Sequence, residues 1–165
     1  EKIYRVIAPG GSVIIFSDWK KSSYIVDKLI ELGFVIKDPI RWIKTNPMPR
    51  NINRRYVGDY EFAIWAVKPG KKWIFNKPKN AKYLRPEFKT SSLAGSSGRL
   101  HPTQKSLKLF EELIKIHSNE NDLVLDLFLG SGTTALACKK NNRKFIGSEI
   151  DPKYYKISLQ RLKND

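Results

Sequence analysis

The stretch that decides the fold is LVLDLFLGSGTTALA, residues 123–137. Its leucine-rich run ends at Asp126, the chain turns through Gly130 and Gly132, and a helical pattern begins at Thr133. A strand, a glycine turn and a helix N-terminus together favour a ligand site, because free backbone N–H groups and the helix dipole attract negative charge there. Glycine at the two turn positions permits a positive φ or the close approach of a ligand.

An acidic residue, Glu149, ends the next predicted strand, 17 residues after Gly132. In dinucleotide-type folds an acid at this place accepts hydrogen bonds from ribose hydroxyls, and Gly130, Gly132 and Ala135 fit the loose fingerprint. A phosphate-binding P-loop is disfavoured, because no Gly-Lys-Ser/Thr follows the turn. A nicotinamide enzyme needs a second βαβ half, for which little chain remains after Glu149. The alternative is that the glycines form only a tight strand–helix turn and that Glu149 is a surface acid, with no ligand bound.

The alternation of strand and helix patterns along the chain predicts a parallel α/β sheet with helices on both faces. Residues 69–100 lack regular patterns and are predicted to form an irregular insert. From His101 the pattern returns, with a helix that has Pro102 near its first turn. The predicted strands are the β-branched run that follows the turn within 9–18, the segment 34–44 with a break at Pro39, and 60–68, 123–128 and 144–150. The predicted helices are 20–34, 102–118, 133–141 and 152–163.

Composition limits the class of protein. The 165 residues fit one domain, and no apolar run approaches the roughly 20 residues that span a bilayer. The N-terminus lacks a signal-peptide pattern, so we expect a soluble, cytoplasmic protein. The single cysteine, Cys138, excludes an intrachain disulfide and a cysteine metal site, and its helical position predicts a small core residue. We expect no bound metal.

The net charge of +15 favours a polyanionic partner, most often a nucleic acid. Residues 41–90 hold 13 Lys and Arg against three acids, together with nine of the 19 aromatic residues. Basic residues among aromatic ones suit phosphate contact and base stacking. The alternative is that the aromatic residues are strand core, as expected for most of Trp42, Trp65 and Trp73. The predicted DNA-binding residues are Arg50, Arg54, Arg55, Lys71, Lys72, Lys77 and Lys79.

Several motifs together resemble the amino-group DNA methyltransferases, which modify the exocyclic amine of adenine or cytosine. DLFLGSGTT (126–134) resembles their cofactor motif DPFxGSGTT, with Leu127 in place of proline, and HPTQKS (101–106) resembles a second motif. APGGSVIIFSDW (8–19), WIKTNPMPRN (42–51) and NNRKFIGSEID (141–151) resemble further segments. This order is that of the permuted β group, and the pattern is most similar to adenine-specific members.

The resemblance implies a Rossmann-like fold that binds S-adenosylmethionine. Phe128 would pack on the adenine, Glu149 would accept the ribose hydroxyls, and Asp126 would face the ammonium or the sulfonium. The alternatives are that Phe128 is core and that Asp126 is a surface acid at a strand end. His101 is interpreted as helix-entry structure and His117 as a helix-end residue favoured by the dipole. The residues expected to meet the cofactor's carboxylate are Gly130, Ser131, Gly132, Thr133, Thr134, Thr103 and Lys105.

The resemblance also implies the reaction and the partners. It predicts methyl transfer to the exocyclic amine of adenine in duplex DNA, in a restriction-modification system with a cognate endonuclease, and a homodimer. Residues 41–100 would include the DNA-facing part of one catalytic domain, 1–165, and residues 101–165 the cofactor-binding part. The family's catalytic tetrapeptide, Asp or Ser followed by Pro-Pro-Tyr, is absent from the sequence. We expect it upstream of Glu1 and expect this chain alone to be inactive. A cytosine enzyme and a non-catalytic nucleic-acid-binding subunit remain alternatives.

Overall fold

A computed structural model describes residues 2–92 and 104–164. Within these ranges the chain forms a mixed α/β structure, which confirms the predicted fold class. The elements in chain order are α1 (Lys2–Val6), β1 (Ser12–Ser17), a 3₁₀ turn (Trp19–Lys21), α2 (Ser22–Glu31), β2 (Val35–Lys44), β3 (Tyr60–Val67), β4 (Glu87–Thr90), α3 (Leu107–His117), β5 (Leu123–Asp126), α4 (Thr133–Lys140), β6 (Lys144–Gly147) and α5 (Pro152–Asn164).

The strands form two sheets, and the pairing is not wholly parallel. One sheet has the order β1-β3-β2-β4 and the other consists of β5 and β6. Parallel pairing, as predicted, is found between β5 and β6. Strand β2 also pairs in parallel with β4, a strand that was not predicted. Strand β3 instead runs antiparallel to both of its neighbours. A parallel return requires a crossover, usually a helix, and the described connection from β2 to β3, residues 45–59, contains no helix.

Strand β4 lies inside the segment that was predicted to be irregular, so that prediction is wrong at this point. The guanidinium of Arg41 pairs with the Glu87 carboxylate, and the indole N–H of Trp42 donates a hydrogen bond to Thr90 Oγ1 at 2.7 Å. Trp42 is 1 % exposed, so this bond satisfies a buried donor. The segment EFKT contains Phe88 as its single apolar residue, so it shows no apolar–polar alternation from which a strand could be predicted.

Helix α3 begins at Leu107, later than predicted. Ser106 is its N-cap, and the Ser106 hydroxyl accepts the N–H of Leu109 at 3.5 Å. Serine is favoured there because its oxygen satisfies one of the free N–H groups of the first turn. The predicted helix-entry residues His101 and Pro102 lie outside the described residues, as does Thr103.

Helix α3 connects the two sheets through their cores. Its Leu109 and Leu113 belong to the core cluster of the larger sheet, whereas Ile114 packs with Ala137 and Cys138 of α4. Cys138 is fully buried, as predicted, and burial raises the pKa of its thiol to about 12. No helix of the described ranges is long and apolar enough to cross a membrane.

The tryptophans divide between core and surface. Trp42 and Trp65 are buried, which confirms the prediction that most of these rings belong to the core of their strands. Trp73 is 39 % exposed, and the ammonium of Lys37 lies 3.5 Å from the centroid of its ring. Such a cation–π contact stabilises a ring that remains at the surface.

Asn76 attaches the segment that follows β3 to the end of helix α3. The side-chain amide of Asn76 donates to the carbonyls of Lys115 and Ser118 at 3.0 and 2.9 Å, and the Asn76 N–H donates to Ile116 O at 2.7 Å. At the far side of the following segment, the N–H of Arg41 donates to Pro86 O at 2.8 Å.

Helices α3 and α4 begin at the same end of the molecule. Their last turns lie together, because Arg143, just after α4, donates to Ser118, just after α3, at 2.7 and 3.2 Å. Two residues before α3, Lys105 contacts Glu61 at the start of β3. The glycine turn, the start of β3 and the end of β2 therefore share one end, which we call the glycine-loop end.

Candidate functional site

The glycine turn after β5 has a left-handed backbone that favours glycine. Gly130 and Gly132 have φ values of 56° and 84°, and Gly132 is the N-cap of α4. Its N–H donates to Leu129 O at 2.9 Å, and its carbonyl accepts the N–H of Leu136 at 3.0 Å. A Cβ at Gly132 would lie 2.9 Å from Ser158 Cβ on α5. The turn is therefore closely packed on one side by α5.

Two carboxylates hold this turn in place. Asp126 accepts the N–H of Phe128 at 3.0 Å and the hydroxyl of Thr134. Glu149 accepts the N–H of Gly130 at 2.7 Å through Oε2 and the N–H of Asp151 at 2.9 Å through Oε1. Each carboxylate oxygen can accept more than one hydrogen bond. Both acids therefore shape the loop and can still meet a ligand, so Asp126 is more than a surface acid.

Phe128 projects into solvent beside these acids. Its side chain is 88 % exposed, so the alternative of a core phenylalanine is wrong. Ile150, which follows Glu149, is 99 % exposed, and Leu127 is 42 % exposed. Large apolar side chains this exposed at strand ends offer a surface to a flat apolar ligand.

The hydroxyl-bearing residues of the motif face inward. Ser131, Thr133 and Thr134 are all buried. The guanidinium of Arg161 on α5 donates to Ser131 O at 2.9 Å and lies 3.4 Å from Thr133 Oγ1. These residues therefore bind the turn to α5 and to Asp126. Their contact with a ligand carboxylate stays a prediction. The sequence could not reveal Arg161, which lies 28 residues beyond Thr133.

Lys105 is held by an acid that sequence reasoning missed. Its ammonium lies 2.8 Å from Glu61 Oε2, and the ammonium of Lys44 lies 2.9 Å from Glu61 Oε1. Burial opposes ionisation of Glu61, but hydrogen bonds and charge from Lys105 and Lys44 outweigh it and hold the pKa of Glu61 below its usual value. These contacts attach the start of α3 to β3. The predicted meeting of Lys105 with a cofactor carboxylate stays a prediction, and Thr103 lies outside the described residues.

The predicted DNA-binding residues are all exposed but fall on two surfaces. The three arginines lie in the β2–β3 connection, at the glycine-loop end. Lys71 and Lys72 follow β3 at the other end, about 23 Å away along an eight-residue strand. Lys77 and Lys79 follow Asn76, which is bound to the last turn of α3. Proximity in sequence therefore does not make residues 41–90 one surface.

His117 is neutral rather than charged. Its ring packs 4.6 Å from Trp65 and 5.8 Å from Phe75, measured between centroids. Burial lowers the pKa of His117 to about 4. His117 is the last residue of α3, as predicted for a helix-end residue, but desolvation outweighs the support that the helix dipole gives to its charged form. Within the described ranges no cluster of three or more His, Cys, Asp or Glu could hold a metal.

The fold and the glycine turn define an α/β protein with a nucleotide-type ligand site. A family model described as DNA methylase matches residues 1–160. The chain therefore belongs to the DNA methylase family, which confirms the identification made from the motifs.

Two Type II methyltransferases match nearly all of this chain, which in turn covers only part of each of them. The Type II methyltransferase M.HpaI of Haemophilus parainfluenzae is 33 % identical over 183 residues, covering 100 % of this chain and 57 % of the relative. The Type II methyltransferase M2.LlaDCHI of Lactococcus lactis subsp. cremoris is 34 % identical, covering 95 % and 62 % respectively. The chain spans less than two thirds of the length of these relatives.

Solved structures share the fold. A structure described as the M1.HpyAVI-SAM complex has a TM-score of 0.87 and 56 % identity, over 95 % of this chain and 76 % of that one. The PvuII DNA methyltransferase, described as cytosine-N4-specific, has a TM-score of 0.81 at 22 % identity, over 96 % and 66 %. The second likeness concerns the fold alone.

Proposed function

We propose that this chain is the cofactor- and DNA-binding part of an enzyme that transfers a methyl group from S-adenosylmethionine to the exocyclic amine of adenine in duplex DNA. Membership of the DNA methylase family and 56 % identity to a protein solved with SAM support this proposal. The observation that carries it is the arrangement of Phe128, Gly130 and Glu149 around one turn. The family's acceptor-binding tetrapeptide does not occur in residues 1–165, so the proposed activity needs it from another segment or chain.

The side chains around the glycine turn match the chemical groups of the cofactor. When bound, S-adenosylmethionine supplies a methyl group on a positively charged sulfonium. Glu149 has lone pairs for two ribose hydroxyls, Phe128 offers an exposed ring for the adenine, and Asp126 supplies negative charge toward the cationic groups. The hydrogen bonds from Phe128 N and Gly130 N to these acids hold the carboxylates in place beforehand. Displacement at a sulfonium depends on such positioning and electrostatics more than on acid–base catalysis.

The acceptor requires a DNA surface near the turn. A target base must leave the duplex to reach the methyl donor. Arg50, Arg54 and Arg55 lie at the glycine-loop end, where they can hold phosphates next to an extruded base. We propose the four predicted lysines as a second, more distant phosphate-binding surface. The proposal also implies a cytoplasmic protein that works with a cognate restriction endonuclease, and homodimer formation.

Calorimetric titration tests the cofactor site. We expect binding of S-adenosylmethionine, no binding of NAD, and an affinity at least tenfold weaker in Glu149→Ala. Because Glu149 also holds the loop backbone, Phe128→Ala provides a variant with little effect on folding, and it should weaken binding several-fold. Tyr24→Ala, which truncates an exposed ring on α2, is the matched control. A wild-type protein that does not bind S-adenosylmethionine would refute the proposal.

A methyl-transfer assay tests the acceptor. The protein, supplied with the tetrapeptide-containing segment, is incubated with labelled S-adenosylmethionine and unmethylated plasmid DNA, and the digested nucleosides are separated. N6-methyladenine is the expected product. If the product is N4-methylcytosine instead, the target base is cytosine and not adenine. If neither product forms, the chain is a non-catalytic nucleic-acid-binding subunit. Transfer by residues 1–165 alone would contradict the need for the tetrapeptide.

A further inference from the structure

The β2–β3 connection is a loop with a fixed base, which we call the arginine loop (residues 46–58). At its base, the N–H of Lys44 donates to Asp59 O at 2.6 Å. The side-chain amide of Asn46 donates to Ser92 O at 2.8 Å, and Asn46 Oδ1 accepts the N–H of Ser92 at 2.6 Å. The loop therefore begins and ends on the sheet and cannot lie far from the end of β2.

The outer part of the arginine loop has its own turn. Asn51 has a φ of 51°, and its carbonyl accepts the N–H groups of Arg54 and Arg55 at 3.0 and 3.1 Å. This turn fixes the direction of the chain on both sides of it. It places Ile52 within the turn and Tyr56 directly after it.

Three large apolar side chains of this loop are more than half exposed. Tyr56 is 101 % exposed, Ile52 67 % and Met48 53 %. A single exposed apolar residue is ordinary, but these three alternate with Arg50, Arg54 and Arg55, and residues 46–58 contain no acid. Removal of apolar groups from water lowers the free energy. This loop therefore favours a partner that has an anionic surface and an apolar interior.

Duplex DNA is the partner that combines both properties. Its phosphates attract arginine, and its stacked bases accept apolar side chains such as Ile and Met, which enter between base steps and unstack them. An aromatic ring can stack on a base for the same reason. The loop stands at the glycine-loop end, where an extruded base would leave a gap in the duplex.

We propose that the arginine loop enters the DNA, with its arginines on phosphates and with Ile52 and Tyr56 inserted between base pairs beside the extruded base. This inference rests on the proposed function. It assigns Ile52 and Tyr56 as positioning residues, because they open the duplex and do not touch the methyl group.

A plasmid-unwinding assay tests insertion without knowledge of the recognition sequence. The full-length protein is bound to relaxed plasmid, topoisomerase is added, and the change in linking number is measured per bound protein. We expect wild type to unwind the DNA. The double variant Ile52→Ala, Tyr56→Ala should unwind it at least threefold less, while the slope of log affinity against log salt stays unchanged. Arg54→Ala should reduce the magnitude of that negative slope by about one, because one phosphate contact is lost.

The outcomes separate the inference from the proposed function. Unwinding by the double variant equal to that of wild type, or wild-type binding without unwinding, would overturn insertion and leave the methyltransferase proposal intact. A wild-type protein that binds no DNA would overturn both. Tyr24→Ala, with an exposed ring far from the loop in sequence, should match wild type. A change of sedimentation in the double variant, with unwinding unchanged, would assign the loop to protein association and overturn insertion.

Discussion

Replacement of Gly132 by alanine tests whether the packing of the glycine turn determines its conformation. Gly132 has a φ of 84°, and a Cβ there would lie 2.9 Å from Ser158 Cβ and 3.2 Å from Ser158 Cα. Ser158 is 1 % exposed and sits on α5, so it cannot turn away into solvent. The substitution therefore meets two separate costs.

The two costs can be estimated. Alanine in the left-handed region costs about 1–2 kcal/mol. An added methyl against a packed helix costs about 1–3 kcal/mol. The free energy of unfolding should therefore fall by roughly 2–5 kcal/mol in Gly132→Ala. Gly58→Ala is the control, because a Cβ there meets no atom within 4 Å, and it should change stability by less than about 0.5 kcal/mol.

Urea unfolding of four proteins measures these costs separately. Besides wild type, the set contains Gly132→Ala, Ser158→Gly and the double variant. Because Ser158→Gly removes the Cβ that makes the shortest contact, the double variant should recover part of the packing cost and retain the backbone cost. A loss below about 0.5 kcal/mol in Gly132→Ala would refute the argument, and an absence of coupling between the two sites would refute its packing part.

Three further predictions concern the core. Thr90→Val leaves the buried indole N–H of Trp42 without its partner and should lower the free energy of unfolding by about 1–3 kcal/mol in urea, with a loss below about 0.5 kcal/mol as the contrary result. His117 takes up a proton near pH 6.5 when unfolded but stays neutral to about 4 when folded. Between pH 7 and 5 wild type should therefore lose about 2 kcal/mol more stability than His117→Phe, and equal losses would contradict this. The buried Cys138 thiol should react with a disulfide reagent at pH 8 only after unfolding, and rapid reaction of the folded protein would contradict its burial.

The glycine turn could be predicted from the sequence because its determinants are local. Strand β5, the turn and helix α4 follow one another, so periodicity and glycine spacing were sufficient. The direction of β3 depended instead on a connection without a helix, and β4 has only one apolar residue, Phe88, so it showed no alternating pattern. Pattern reasoning therefore succeeded where neighbours in sequence are also neighbours in space.

The parts of the site that were missed involve distant residues. Glu61 meets Lys105 across 44 positions, and Arg161 meets Ser131 across 30. No local motif contains both members of such a pair. The separation of the arginines from Lys71 and Lys72 has the same origin, because β3 carries the chain from one end of the molecule to the other. Phe128 could be assigned to neither core nor surface until the course of the chain was known.

The attachment of Asn76 to the end of α3 has a consequence for sequence variation in this fold. Residues 77–86 are held at one side by Asn76 and at the other by the bond from Arg41 N to Pro86 O. A loop fixed at both ends costs only roughly 0.6 kcal/mol more when its length doubles. We therefore expect changes in the length or sequence of this segment to leave the sheet and α3 unchanged. Residues 77–86 can therefore acquire different surface side chains without a change in the hydrophobic core.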